Sequence, residues 1–319
     1  MKAYLLEQAK TPPKISAVPL PKPGPGEVLV RVAACGLNFA DLLTIEGTYQ
    51  EMPPLPAALG KEYAGTVEEV GPDVSLPVGT RVAVYTGHGG LADYAVAPAD
   101  RCLPIPDAMP FDVAAGFQIA YGTSHLALTR TARLTAGETL LVLGAAGGVG
   151  LTAVEIGATL GATVIGVARG EDRLAVAKQA GATHLIDGRA EDTLRDAVKA
   201  LGGADVVYDA VGGTAFREAM RATNPEGRIL AIGFASGDVP QIPANHLLVK
   251  NISVHGFYWG GFLNFAPDVL HHSLKELVDW YVAGRIKPHI SHSFPLDQAA
   301  EALNLLRSRR ATGKIVVTP

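Results

Sequence analysis

The residues best suited to hold a ligand are the glycines of TLLVLGAAGGVGLTAVEIG. Gly144, Gly147 and Gly150 follow an apolar run at three-residue steps, with Gly148 and Val149 between the last two. Glycine allows a tight turn close to a phosphate, and a helix that begins near Val149 would point its free N–H groups at that phosphate. The pattern predicts a nucleotide site, and a purely structural turn is the alternative. A kinase-type phosphate loop is disfavoured because no Lys-Ser/Thr pair follows the last glycine.

Two arginines follow the next apolar run, in ATVIGVARGEDR. Arg169 lies where enzymes that use NAD usually carry an acid, which binds the ribose 2′-hydroxyl. An acid would repel a 2′-phosphate, whereas arginine pairs with it through two parallel hydrogen bonds. This predicts NADPH as the cofactor, with Arg173 on the next helical turn as a second phosphate ligand. The alternative is that both arginines are solvated residues at the start of a helix.

These ligand-binding patterns lie in a region where strands and helices alternate. Between Gly122 and Phe257 we expect helices such as Leu151–Leu160 and Asp172–Ala180 to connect six short strands. Such crossovers predict a doubly wound parallel sheet of the Rossmann type. The strands are expected at Thr139–Leu143, Thr163–Val167, His184–Ile186, Asp205–Tyr208, Arg228–Ile232 and Ile252–His255.

Two further strand ends are expected at the same edge of this sheet. YDAVGG places Val211 after one strand, and AIGFASG places Gly233 and Phe234 after the next. Ligands of open α/β folds bind at the carboxyl ends of the strands. We therefore expect these three residues to contact the cofactor, and the alternative is that they form plain turns.

The regions on either side differ in texture from the Rossmann region. Residues 1–121 are rich in Pro, Gly and short alternating runs such as EVLVRVAACG, which predict an irregular β-rich domain. Residues 258–319 contain helical patterns at Leu274–Val282 and Gln298–Ser308, followed by the strand-like GKIVV. Because GKIVV has no partner nearby, we place it in the sheet of the first domain. We therefore predict two domains. The catalytic domain contains residues 1–121 and 258–319, and the cofactor-binding domain contains residues 122–257.

Composition excludes several functional classes. The 319 residues carry a net charge of −4 and no Lys/Arg-rich run, which argues against nucleic-acid binding. Cys35 and Cys102 form no CxxC pair, and MKAYLLEQAK lacks the apolar core of a signal peptide. Between Thr139 and Ala168 the only charge is Glu155, but the glycines there favour two buried strands and a helix over a membrane span. We expect a soluble, cytoplasmic protein.

Several motifs together resemble one family along nearly the whole chain. They are PGPGEVLVRVAACGLNFADL, Gly47–Tyr49, LGKEYAGTVEEVG, AAGFQIAYGTSHLAL, GAAGGVG and TGKIVVTP. The chain resembles the medium-chain dehydrogenase/reductases, specifically the zinc-free quinone oxidoreductase branch that includes zeta-crystallin. The resemblance implies an α/β fold with a GroES-like β-rich catalytic domain and a Rossmann domain. It also implies a homodimer and a hinge at HGFYWGG. In this hinge Phe257 and Tyr258 would contact the cofactor or line the acceptor site beside Trp259. The alternative is that these aromatic residues only pack in the core.

The zinc ligands of the metal-dependent branch have no counterpart here. Their places carry Asn38, Lys61 and approximately Ile119, whose side chains do not replace thiolate and imidazole. We predict that no metal is bound. Lys61 is expected to put a fixed positive charge where the metal would lie, neutralised by Glu62 or Asp41. The alternatives are a directly catalytic lysine and a merely exposed one.

Without a Lewis acid, the chemistry left is hydride transfer to an acceptor that is already electron-poor. A quinone or an α,β-unsaturated carbonyl fits this requirement. Asn38 is predicted to bond the cofactor or the substrate carbonyl, and Tyr49 to donate its hydroxyl. Asp41 is predicted to orient neighbouring groups or to form a salt bridge rather than to donate a proton. By resemblance, Thr123 bonds the nicotinamide amide or ribose. The alternatives are a turn-stabilising Asn38 and a packed surface Tyr49.

The predicted activity is therefore a metal-independent, NADPH-dependent reduction of a quinone or enone. Two other functions remain open on these residues. One is an enoyl-thioester reductase of the acryloyl-CoA type, which would need a basic patch for the CoA phosphates. The other is a protein that binds NADPH without turnover, a role that the resemblance to lens crystallins allows.

Overall fold

The computed structural model describes residues 1–319 and divides them into two compact units. The first unit contains residues 1–119 and 288–319, and the second contains residues 120–287. The first is β-rich and the second is a parallel α/β unit, so the predicted fold class is confirmed.

The helices and strands are numbered in chain order. The strands are β1 (Lys2–Leu6), β2 (Lys14–Ala17), β3 (Glu27–Gly36), β4 (Ala57–Ala58), β5 (Glu62–Val70), β6 (Arg81–Tyr85), β7 (Tyr94–Pro98), β8 (Cys102–Pro104), β9 (Thr139–Leu143), β10 (Thr163–Ala168), β11 (His184–Asp187), β12 (Ala204–Asp209), β13 (Thr223–Ala231), β14 (Ser253–Gly256), β15 (Ile290–Pro295) and β16 (Lys314–Thr318). The α-helices are α1 (Phe39–Ile45), α2 (Phe111–Ala115), α3 (Gln118–Leu126), α4 (Gly148–Thr159), α5 (Glu171–Gln179), α6 (Leu194–Ala200), α7 (Gly213–Ala222), α8 (Ala244–Lys250), α9 (Phe262–Phe265), α10 (Pro267–Val282) and α11 (Ala299–Arg307). A π-helical turn follows α3, and short 3₁₀ turns lie at Ala99–Arg101, Glu191–Thr193 and Leu296–Gln298.

The sheet of the first unit is built around the long strand β3. Its strand order is β15-β16-β3-β5-β6-β8, with β7 also paired to β3, and a smaller sheet has the order β2-β1-β4. Val28, Val30 and Val32 of β3 are buried, as their alternation predicts, but Leu29 on the other face is buried too. Both faces of β3 are therefore covered over much of its length, and only Arg31 projects into solvent.

The C-terminal strand joins this sheet as expected. β16 pairs antiparallel with β3 at Val316–Gly36 and Val317–Cys35, which confirms its predicted place. It also pairs in parallel with β15. The sequence pattern missed β15 because ISHSFP alternates small polar and apolar residues too briefly to stand out.

The sheet of the second unit has six parallel strands in the order β11-β10-β9-β12-β13-β14. The reversal of strand order at β9 places the ends of β9, β10 and β12 side by side, which is where ligands of doubly wound sheets bind. All six strands were located by the sequence pattern, although β13 begins several residues earlier than predicted, at Thr223.

One predicted domain boundary is wrong. Residues 258–287, which we assigned to the catalytic domain, belong to the second unit. The cause is packing: Nδ1 of His125 on α3 lies 2.8 Å from the Ser273 hydroxyl on α10, and its ring meets Trp280 edge-on at 5.2 Å. Lys287 also donates its backbone N–H to Glu155 on α4. β15, the 3₁₀ turn at Leu296–Gln298, α11 and β16 return to the first unit.

No helix of the structure combines the length and the apolar composition that a membrane crossing requires. The apolar stretch between Thr139 and Ala168 forms β9, α4 and β10, as its glycines predict.

Candidate functional site

The glycine loop after β9 has the backbone geometry of a phosphate cradle. Gly144 adopts φ +73°, and the next amide, of Ala145, donates to Val167 of β10. α4 begins at Gly148 with Gly147 as its N-cap, without a side-chain cap or an acidic residue in its first turn. A Cβ on Gly150 would lie 2.1 Å from the Gly144 carbonyl oxygen, so only glycine fits there. The N–H groups of this first turn are therefore open to an anion.

Arg169 lies directly after β10, at the carboxyl edge of the sheet. Its Nη2 donates to Oε1 of Glu191 at 2.7 Å, and just over half of its side chain is exposed. Arg173 lies on α5 and is half-buried. Gly170 between them has φ +87°, which turns the chain from the strand into α5. The positions suit a phosphate contact, and that role stays a prediction for both arginines.

The loops after β12 and β13 are held together by Asp209. Its buried carboxylate accepts the N–H groups of Val211 and Gly212 at 2.8 and 2.9 Å. Burial raises the pKa of Asp209 to about 6, against the opposing effect of these two N–H groups. Val211 also accepts the Ser236 N–H through its backbone oxygen. Sequence reasoning missed Asp209, although an acid just before glycines with positive φ is a typical turn signal.

Gly233 and Phe234 lie at the same sheet edge, on the loop after β13. Gly233 donates its N–H to the Asp209 carbonyl oxygen, and the Phe234 side chain is 40% exposed. A Cβ on Gly233 would lie 3.6 Å from the nearest atom, so glycine is not sterically required there. Their predicted contact with the cofactor is untested and stays a prediction.

Thr123 lies on α3, next to a buried hydroxyl cluster. The Ser124 hydroxyl contacts the hydroxyls of Thr152 at 2.8 Å and Tyr208 at 3.0 Å, and it donates to the Val149 carbonyl. This cluster connects α3 to the first turn of α4 and to β12. Thr123 itself is 6% exposed, and its predicted bond to the cofactor stays a prediction.

The aromatic hinge follows β14 in the second unit. The Phe257 ring lies 5.5 Å from the Phe262 ring, and both Phe257 and Tyr258 are half-buried. Trp259 is buried against Gly122 of α3, where a Cβ would lie 2.4 Å from its Nε1. The structure therefore places Trp259 in the core, whereas Phe257 and Tyr258 remain candidates for ligand contact.

A buried polar network occupies the first unit, and its centre is a residue that sequence reasoning missed. Lys314 of β16 donates from Nζ to the Leu37 carbonyl, to Oδ1 of Asn38 and to Oε1 of Glu62, each at 2.8 Å. The one sequence signal for it is a lone lysine in the otherwise apolar strand KIVVT. The ammonium thus lies among three oxygen acceptors, which compensates for its burial.

Asn38 and Glu62 complete this network. Nδ2 of Asn38 donates to Oε1 of Glu62 at 3.0 Å and to the Gly36 carbonyl at 3.2 Å. Oε2 of Glu62 accepts the backbone N–H of Ile119 at 2.9 Å. Asn38 and Ile119, two positions that match zinc ligands in the resembled family, therefore do come together. Both hydrogens of the Asn38 amide are engaged within the network, so its predicted bond to a substrate carbonyl would require one of them to be released.

Asp41 lies at the start of α1 and is 1% exposed. Its Oδ2 accepts the backbone N–H of Asn38 at 2.8 Å, while Oδ1 is buried without a hydrogen-bond partner. Burial raises the pKa of Asp41, and the charge of Lys61 is the largest effect that opposes it. This geometry suits the predicted orienting role, because the carboxylate holds the turn that presents Asn38.

Lys61 is almost fully buried, and its contacts differ from the predicted ones. Nζ donates to the Gly87 carbonyl at 3.2 Å and lies 3.9 Å from the centre of the Tyr49 ring. Burial lowers the pKa of Lys61, and the charges of Asp41 and then Glu51 raise it. Of the two acids expected to neutralise Lys61, Glu62 is paired with Lys314 instead, and Asp41 is the acid whose charge acts most on Lys61.

No group of three or more His, Cys, Asp or Glu side chains is arranged so that it could hold a metal ion. Both cysteines are buried, and burial raises the pKa of each thiol. The prediction that no metal binds remains a prediction.

Comparisons with known proteins agree with this architecture. Residues 24–107 match the model of the alcohol dehydrogenase GroES-like domain, and residues 148–282 match that of the zinc-binding dehydrogenases. The quinone oxidoreductase-like protein 2 homolog of Nematostella vectensis is 42% identical over 301 residues, which are 92% of this chain and 82% of the relative.

Two solved structures superpose on the whole chain. The quinone oxidoreductase of Thermus thermophilus, solved also in complex with NADPH, is 30% identical with a TM-score of 0.89 and full coverage of both chains. A mycobacterial protein in complex with NADPH is 29% identical with a TM-score of 0.93, again with full coverage of both chains. The chain therefore belongs to the quinone oxidoreductase-like branch of the medium-chain dehydrogenase/reductase superfamily, a family of oxidoreductases.

Proposed function

We propose that this protein is an NADPH-dependent reductase of quinones or other electron-poor α,β-unsaturated carbonyl compounds. The observation that supports NADPH over NADH is the position of Arg169. This cation follows the carboxyl end of β10, where an acid would favour NAD. The glycine loop with the open first turn of α4 would hold the pyrophosphate, and Arg169 and Arg173 would hold the 2′-phosphate. The relatives that are named quinone oxidoreductases and the two NADPH complexes support this choice.

The residues of the chain then have distinct tasks. When bound, the reduced nicotinamide supplies a hydride, and the acceptor oxygen gains negative charge that needs a hydrogen-bond donor. We assign that donor to the Tyr49 hydroxyl. The Lys61 ammonium lies 3.9 Å from the centre of the Tyr49 ring, and this cation–π contact would hold the ring in place.

Asn38, Asp41 and Thr123 act as supports in this proposal. Asp41 holds the backbone at Asn38, and the Lys314–Glu62 pair holds the Asn38 amide in one orientation. Thr123 lies next to the hydroxyl cluster at the first turn of α4, which is a suitable position for a bond to the nicotinamide end. Phe257 and Tyr258 would supply apolar contact.

We also propose a homodimer that forms through β14. This strand pairs only with β13, so its other edge has unpaired N–H and C=O groups. α8 precedes it in the chain and exposes Leu248 by 77% and Val249 by 76%. A second copy of the chain would pair with the strand and cover these side chains.

The activity is tested by mixing the protein with NADPH and one acceptor at a time and following absorbance at 340 nm. Benzoquinones and short enones should be reduced faster than enoyl-CoA esters. Preference for enoyl-CoA would favour the thioester reductase instead. If all three acceptor classes fail while NADPH binds, the protein is a non-catalytic NADPH-binding protein and the proposal is wrong.

A further inference from the structure

The anchor proposed for the 2′-phosphate is already paired with a carboxylate of the chain. Nη2 of Arg169 donates to Oε1 of Glu191 at 2.7 Å. Glu191 opens the short 3₁₀ turn after β11, the strand next to β10 in the sheet. The contact thus joins the loops that follow two adjacent strands.

These two loops are fixed to each other by further bonds. Gly188 donates its N–H to the carbonyl of Ala168, the last residue of β10. The Asp187 carboxylate, at the end of β11, accepts the side chain of Arg189. Hydrogen bonds from Arg189 lower the pKa of Asp187 to about 2, so Asp187 stays ionised with its own partner. Asp187 is therefore occupied, and Glu191 is the carboxylate that pairs with Arg169.

A carboxylate and a phosphate monoester compete for the same face of a guanidinium. Both present two oxygens in a plane to its parallel N–H donors. The first turn of α5 adds the acids Glu171 and Asp172 nearby, so the region is not simply basic. A 2′-phosphate that binds the Nη2 donor of Arg169 displaces Glu191, and it also approaches these acids.

We propose that Glu191 is a specificity-determining residue that competes with the cofactor's 2′-phosphate for Arg169. This inference rests on the proposed NADPH function. Glu191 lowers the affinity for nucleotides that carry a 2′-phosphate and leaves the affinity for nucleotides with a free 2′-hydroxyl unchanged. The preference for NADPH over NADH is therefore smaller than an arginine at this position would produce alone.

The test measures binding rather than turnover, with two fragments that differ only at the 2′ position. Dissociation constants of 2′,5′-ADP and 5′-AMP are determined by calorimetry for the wild type and for Glu191→Gln. The matched control is Asp192→Asn, which removes one negative charge from the neighbouring, exposed residue. Titration of NADPH and NADH by nicotinamide fluorescence repeats the comparison with whole cofactors.

Glu191→Gln should tighten 2′,5′-ADP and NADPH by roughly twofold to fivefold, because an exposed ion pair is worth little. Binding of 5′-AMP and NADH should not change. The proposal of direct competition would be overturned if Asp192→Asn tightened the binding of 2′,5′-ADP as much as Glu191→Gln does. It would also be overturned if Glu191→Gln tightened the binding of 5′-AMP as much as that of 2′,5′-ADP. A wild type that binds both fragments equally would instead overturn the NADPH assignment itself, and the inference with it.

Discussion

The Nζ atom of Lys314 lies 2.8 Å from Oε1 of Glu62, and the two side chains are only 8% and 1% exposed. They come from opposite ends of the chain, on β16 and β5. The pair also fixes Asn38, so it links the C-terminal strand to the start of α1. Asn38 is thus held by a cation and a carboxylate that are both removed from water.

Breaking this pair from one side should be costly. Lys314→Met leaves the Glu62 carboxylate buried without its cation, and we expect a loss of about 3–5 kcal/mol in the free energy of unfolding. The double variant Lys314→Met/Glu62→Gln removes both charges and should recover part of that loss. Chemical denaturation measures both variants. A double variant no more stable than Lys314→Met would contradict the view that the unpaired carboxylate is the cause.

Cofactor preference should depend on the residue after β10. Arg169→Asp should reduce the preference for NADPH over NADH at least tenfold, since a charge-assisted hydrogen bond contributes about 1.5–3 kcal/mol. The ratio of kcat/KM for the two cofactors measures this. Arg195→Asp, on α6 and paired with Asp196, is the control and should leave the ratio unchanged. An unchanged ratio in Arg169→Asp would remove Arg169 from the site.

Lys61 should stabilise the fold in a pH-dependent way. Lys61→Met removes the positive charge that lowers the pKa of Asp41 most. That pKa then rises further above its value in the unfolded chain. The folded state then keeps the Asp41 proton to higher pH than the unfolded state does, so stability falls as pH rises through this interval. The melting temperature of the variant should therefore lie furthest below that of the wild type at neutral pH and approach it on acidification.

The control for this experiment is Lys14→Met, which removes an exposed lysine paired with Glu7. It should leave the melting temperature nearly unchanged at every pH. The opposite trend for Lys61→Met, with a deficit that grows on acidification, would show that Asp41 is not the group that responds.

Two glycines of the phosphate loop should respond differently to alanine. In Gly150→Ala the new Cβ would lie 2.1 Å from the Gly144 carbonyl oxygen, so the backbone must shift, at a cost of about 1–3 kcal/mol. In Gly147→Ala the nearest atom is 3.4 Å away and φ is −80°, so alanine fits. That variant should be as stable as the wild type or slightly more so. Equal destabilisation of both variants in thermal unfolding would rule out the steric explanation.

The proposed dimer should depend on the exposed face of α8. Leu248→Glu puts a charge where a second copy would cover an apolar side chain, so the particle mass should fall toward the 33.2 kDa of one chain. Size-exclusion chromatography with light scattering measures it. The control is Val78→Glu, an exposed apolar residue of the first unit, which should not change the mass. A wild type that is already monomeric would overturn the proposal.

Prediction from the sequence succeeded best where a local pattern repeats. The strands from β9 to β14 were found because apolar runs alternate regularly with helical segments and glycines mark the turns. It failed for residues 258–287, where the helix pattern of α10 was recognised but not the unit that it packs on. A helical period reveals which face of a helix is apolar, not which partner covers it.

The amino-acid sequence alone determined four features: a β-rich unit, a parallel α/β unit, the glycine loop and the cation after β10. Each of them is encoded by residues that lie within a few positions of one another. Only the tertiary structure decided which charges meet in the buried network. Lys61 is adjacent to Glu62 in sequence, yet it precedes β5, which begins at Glu62, and its side chain lies against Tyr49 instead. Glu62 is paired with Lys314, which is 252 residues away in the chain, because β16 joins the sheet beside β3.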